Sequence, residues 1–258
     1  MREPSELPNA SEAMRLRTTK VFVDSRYAIG SGGSSILYEI PGGVELGPNA
    51  RCFVSEFTCV CAWATIDETN RHQVVHTNSG LYALAIPVGS SDLDSFADAL
   101  QAALVQEVAA GFVVERAGVG RMGSTQQLLR VRHPSISFVL AESPLSKIVS
   151  FAQVSATNHV SGFVDLRRCH SIFVHSPSFG NYNTVGPGGV RTALCKIPVE
   201  VGYGALVRWS TGGSSFDYIE CGVRSLHVLR LELKDADGNL LDLAGTAFSM
   251  TLLFSDGE

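Results

Sequence analysis

The sequence predicts an all-β protein, a two-sheet sandwich with one or two inserted helices. One observation is a succession of short strand-like segments, nearly all bounded by Gly, Pro, Asn or Ser clusters, as sandwich and barrel strands are. A second is strict alternation near the C-terminus. In "LRLELKDADGNL", Leu229, Leu231 and Leu233 alternate with Arg230, Glu232 and Lys234, and in "TAFSMTLLF", Phe248, Met250, Leu252 and Phe254 share one face. Such strands have one face for a core and one for water, as antiparallel sheets permit. Third, only one segment has a helical period, which argues against alternating β-α units.

Residues 1–19 are polar, with Pro4 and Pro8 and little periodicity, and read as an arm preceding one domain over 20–258. Strands are then expected over Val21–Asp24, Ile36–Ile40, the long Ala50–Ile66, Leu81–Pro87, Leu128–Arg132, Ile136–Ala141, Ser171–His175, Ala193–Glu200, Ala205–Trp209, Leu226–Lys234 and Thr246–Phe254. From Asp92 to Val108, Leu93, Phe96, Ala97, Leu100, Leu104 and Val108 recur at steps of three and four, one apolar helical stripe. Ser91 fits its N-cap with Asp94 three residues on, and Gly111 fits its exit. A shorter turn is expected at Pro144–Phe151.

The chain has 258 residues and a net charge of −5, so the basic footprint of a nucleic-acid binder is absent from the whole. Arg15, Arg17 and Lys20 are the local exception. Although 45% of residues are apolar, no run approaches the roughly 18 residues of a membrane span, and a soluble chain is expected. No apolar core follows Met1–Glu6, unlike a secretory signal. The six cysteines form no C-x-x-C pair and have no His at zinc-ligand spacing, so they read as reduced, mostly buried apolar residues.

Gly30, Gly32 and Gly33 follow a β-branched run, where a phosphate loop would sit. Neither a helix nor a Lys-Ser/Thr pair follows, and the run reads as a connector between two strands. His72 and His76 lie in loop-like sequence without a metalloprotease Glu, and no G-x-S-x-G elbow exists. The cluster at 235–239 opens like a calcium loop, but Leu240 and Thr246 stand at its Gly and Glu positions, leaving a D-G turn. Asp92 and Asp94 read as helix N-terminal charges. With no catalytic constellation, the expectation is a non-enzymatic protein with no cofactor and no metal.

The order of segments is itself informative. "VFVDSR", then "ILYEIPGGVELGPNARCFVSEFTCVCAW", then "NSGLYALAIPVGSSDLDSFADALQAAL" resembles the N-terminal half of the penton, or minor capsid, proteins of Polinton-like viruses, Maverick elements and virophages. "SIFVHSPSFGNYNTVGPGGVRTALCKIPVEVGYGALV" followed by "LHVLRLELKDADGNLLDLAGTAFSMTLLF" resembles their closing half, where a K-I-P-V-like strand precedes a final hairpin with a D-x-x-G-N turn. The resemblance spans about Val21 to Phe254 and departs at "PLSKIVSFAQ". It implies a single jelly roll forming homopentamers that plug the five-fold vertices of an icosahedral capsid, surrounded by a double jelly-roll major capsid protein. The expected location is the virion. Asp24, Ser25 and Arg26 are the nearest match to a family motif and interface candidates, with Asp24 or Arg26 expected to bond a neighbouring loop or subunit; the alternative is a solvent-exposed turn. Arg15 and Arg17, in an arm that tethers the protein, would face acidic partner groups or packaged DNA. The alternative is a jelly-roll glycan-binding or attachment module, in which Tyr182, Tyr203, Trp209, Phe216 and Tyr218 stack on sugars.

Overall fold

The computed structural model describes residues 18–90, 92–117, 127–180, 183–213 and 217–256. In chain order the strands are β1 (Thr18–Asp24), β2 (Gly30–Gly32), β3 (Ser35–Glu45), β4 (Ala50–Val60), β5 (His72–Thr77) and β6 (Gly80–Ala85), followed by helix α1 (Leu93–Glu107). Then come β7 (Val113–Arg116), β8 (Leu129–Arg132), β9 (Phe138–Leu140), β10 (Asn158–Val160), β11 (Ser171–His175), β12 (Ala193–Pro198), β13 (Leu206–Ser210), β14 (Ile219–Glu220), β15 (Ser225–Lys234) and β16 (Phe248–Asp256). The protein is mostly β, with several antiparallel sheets, and divides into two compact units, residues 1–62 with 169–258, and Trp63–Arg168.

The first unit contains two five-stranded antiparallel sheets. One runs β1-β16-β4-β13, with β14 also pairing β4, and the other runs β12-β11-β15-β3-β2. The alternation expected near the C-terminus sets their facing surfaces: Leu229, Leu231 and Leu233 on β15 are fully buried, as are Phe248, Met250, Leu252 and Phe254 on β16. A bulge on β4 at Ser55, whose hydroxyl donates to the Thr251 carbonyl (3.3 Å), absorbs a register shift and leaves the β16 alternation intact. Phe254 packs against Phe179, just after β11, at 6.0 Å between ring centroids, tying the two layers together.

The second unit, inserted between β4 and β11, has two three-stranded sheets, β10-β8-β7 and β6-β5-β9, and α1. The expected stripe of α1 is buried at Leu93, Phe96, Ala97, Leu100 and Leu104. With Val75, Leu84, Val131, Phe138 and Val164 it forms one apolar core.

Several boundaries differ from the sequence expectation. Thr18 and Thr19, placed in the arm, pair with Ser255 and Phe254 as the start of β1. The Gly-Ser connector is partly a strand: Gly30–Gly32 pairs with β3, and Gly33 turns the chain at φ 66. β3 runs past Ile40 through Pro41, Gly42 and Gly43, because the register shift between Leu226 and Val228 of β15 accommodates these residues with both glycines at positive φ. β4 ends at Val60, and Ile66 makes only an isolated bridge to Gly89. The loop expected around His72 and His76 is strand β5, hidden because its inward face mixes Val75 with a buried glutamine. The Gln73 amide donates to the Val74 and Ala141 carbonyls and accepts from Ser143, so its burial leaves no polar group unpaired. Asp92 caps α1 in place of Ser91, which lies outside the described residues; its carboxylate accepts from the Ser95 N–H at 2.8 Å.

Candidate assembly surface

Asp24, Ser25 and Arg26 form one tight turn after β1, which begins with Asp24 as its cap. The Asp24 carboxylate accepts from the Arg26 backbone N–H (3.0 Å), from Arg26 Nε (3.0 and 3.1 Å) and from Nη2 (2.5 Å). The Arg26 guanidinium holds the Asp24 carboxyl below the usual range, and the carboxylate raises the Arg26 pKa in return. Ser25 faces the other way: its Oγ accepts from the Phe248 N–H at 2.9 Å and fastens the turn to the start of β16. The two charged side chains thus satisfy each other, and Ser25 bonds a neighbouring strand. Arg15 and Arg17 lie outside the described residues.

Around this turn the edge of the unit is apolar. Phe22 (68% exposed), Tyr27 (74%), Ile29 (61%) and Leu37 project into solvent. Two hydrogen bonds link parts of this set: the Ile29 N–H donates to the Leu37 carbonyl at 2.8 Å, and the Tyr38 side-chain hydroxyl donates to the Phe22 carbonyl at 3.1 Å. Phe22 lies outward on β1 because Val21 and Val23 take the inward positions. Among the described residues β1 is also an edge strand, pairing β16 on one side. Large exposed apolar groups beside an open strand edge mark an interaction surface. Sequence reasoning missed Phe22, Tyr27, Ile29 and Leu37. The signal was available in the Val21-Phe22-Val23 run, where alternation assigns Phe22 to the face opposite the two valines.

The other sequence candidates resolve into structural roles. His72 and His76 are exposed on one face of β5, but four residues of strand separate them by roughly 13 Å, too far for one metal ion. Among the described residues no group of three or more His, Cys, Asp or Glu could hold a metal. Asp94 makes a bidentate pair with Arg116 (2.6 and 2.7 Å), and Asp235 caps its own turn by accepting from the Asn239 N–H at 2.8 Å. The cysteines are thiols; Cys59 is buried and pushed up to about 12. Of the loop aromatics, Tyr203 is exposed, Trp209 and Tyr218 are half-buried around one pocket, and Tyr182 and Phe216 lie outside the described residues.

No helix in the described residues is long and apolar enough to cross a membrane. No protein-family model matches the sequence, nor does any curated protein. Among solved structures, the selenomethionine-labelled mavirus penton protein matches with a TM-score of 0.57 at 11% identity, over 93% of this chain and 100% of that one. A chain from the cryo-electron microscopy structure of the Sputnik virophage matches with a TM-score of 0.48 at 10% identity, over 93% and 98% of the two chains. With the mavirus protein covered over its whole length, this chain shares that protein's fold.

Proposed function

We propose that this chain is a structural, non-enzymatic penton protein of an icosahedral, virophage-type capsid, and that it sits at the five-fold vertices of the virion as a homopentamer. The observation that carries this reading is the fold it shares with the mavirus penton protein over essentially all of both chains. Strand order in the first unit supports it. Counting β1, β3, β4, β11, β12, β13, β15 and β16 as strands one to eight, the sheets run 1-8-3-6 and 2-7-4-5, the doubly wound Greek-key order of a jelly roll. Unit Trp63–Arg168 is then an insertion between its third and fourth strands.

A five-membered ring closes through head-to-tail contacts between two different patches of each subunit. The Phe22–Leu37 edge supplies one of them: fully burying a Phe, Tyr or Ile side chain there contributes roughly 1.5–3 kcal/mol. Asp24 and Arg26, already paired, can be buried beside it at lower desolvation cost than either charge alone. Residues 1–17 act as a tether, with Arg15 and Arg17 facing acidic groups of the surrounding major capsid protein or packaged DNA. Co-assembly with a double jelly-roll major capsid protein tests the reading: tagged chain is expected at the vertices of the particles, and tag distributed over the faces contradicts it.

A further inference from the structure

A pocket of about 240 Å³ opens in the first unit where edge strands β12 and β13 and short strand β14 meet β4. Phe53, Trp209 and Tyr218 bring aromatic rings to its lining, and Asn183, Lys196 and Asp217 bring polar groups. Trp209 stands opposite Phe57 in the β13–β4 register, and Phe57 is buried, so Trp209 occupies the inward face of β13. Because β13 ends the sheet, that face is only half covered. Tyr218 is fixed edge-on against Phe53, with ring centroids 4.7 Å apart. Asp217 is fixed as well, its carboxylate accepting from Thr211 Oγ1 at 3.1 Å. The Asn183 and Lys196 side chains make no hydrogen bond or ion pair with the described residues, so their donors are open to a ligand.

This combination selects a chemistry. Aromatic rings attract a flat apolar face, while open donors and a fixed acceptor beside them favour a ligand bearing hydroxyl or amide groups at its edge. A purely apolar ligand would strip water from the rim without replacing its hydrogen bonds. A nucleotide would bring two or more negative charges to a site with one lysine, on a chain of net charge −5. The volume lies below the roughly 300–1,000 Å³ of drug-sized ligand sites and suits no more than one ring. We propose that this pocket binds a single pyranose, the terminal residue of a glycan, with its C–H face on Trp209 and its hydroxyls on Asn183, Lys196 and Asp217. The penton would then carry its own receptor-recognition site, independent of how it assembles.

The test titrates the full-length protein with methyl glycosides of glucose, galactose, mannose and N-acetylglucosamine, and with N-acetylneuraminic acid, followed by saturation-transfer NMR. At least one is expected to bind saturably in the millimolar range. Trp209→Ala and Asn183→Ala should each weaken it at least about tenfold, and Trp209→Phe should retain it. Asn183 is exposed, so its replacement leaves folding intact and keeps the test informative if Trp209→Ala unfolds. The proposal is overturned if no sugar in the panel binds, if binding survives Asn183→Ala, or if AMP binds this pocket in preference to every sugar.

Discussion

Ser25 and His175 show how individual side chains hold the first unit. Ser25 Oγ is the acceptor for the Phe248 N–H, so Ser25→Ala leaves that donor without its partner and is expected to lower stability by about 1 kcal/mol. Chemical denaturation measures this; an unchanged midpoint would mean that water replaces the bond. His175 is buried, bonds Thr192 Oγ1 through Nδ1 at 3.0 Å, and lies near Lys234 and Glu232. Burial lowers its pKa, with Lys234 adding to the shift and Glu232 opposing it. The unfolded chain therefore takes up the proton first as pH falls. The stabilisation is complete above about pH 6.5 and is lost below it, towards the lower folded value. Stability should decline as the pH falls below about 6.5, and His175→Gln should flatten that part of the profile. The sequence singled out Asp24, Ser25 and Arg26 as a group but not their division of labour, since an i to i+2 ion pair and a bond from Ser25 to a residue 223 positions away look alike in one dimension.

Among the elements, α1 was the most legible, because its apolar stripe and flanking acids are local signals, and every stripe residue from Leu93 to Leu104 is buried. Phe96, fully buried in the core of the second unit, is the sharpest probe of that packing. Phe96→Ala should cost about 3–5 kcal/mol, read as early loss of amide protection in β5, β8 and α1. Retained protection there would contradict the assigned core. β2, β5, β7 and β10 were illegible for different physical reasons. β2 is almost side-chain free, β5 buries a glutamine whose bonds come from residues 68 and 70 positions away, and β7 and β10 are edge strands of three or four residues, too short to display a period. The β3 bulge carries the strand past Ile40, where the sequence expectation ended it: pairing with β15 continues on both sides of residues 41–43.

At the scale of the whole molecule, the order of segments was legible, whereas the division into two units was not, since no composition shift marks residues 62–63 or 168–169 and only spatial contact separates them. The edge proposed for assembly was partly visible in the sequence as the polar turn at residues 24–26, but not as the exposed Phe22, Tyr27 and Ile29 around it. If that edge is a subunit contact, Phe22→Asp with Tyr27→Asp should keep the melting temperature within a few degrees, since both side chains are exposed, and abolish the ring. A double variant that assembles like the parent would remove this edge from the interface. Five-fold assembly is decided by native mass measurement with class averaging of the purified chain. Chains of 27.6 kDa in a ring of five give about 138 kDa and five-fold averages. A stable dimer or trimer at every concentration, with the major capsid protein present as well as absent, would contradict the account.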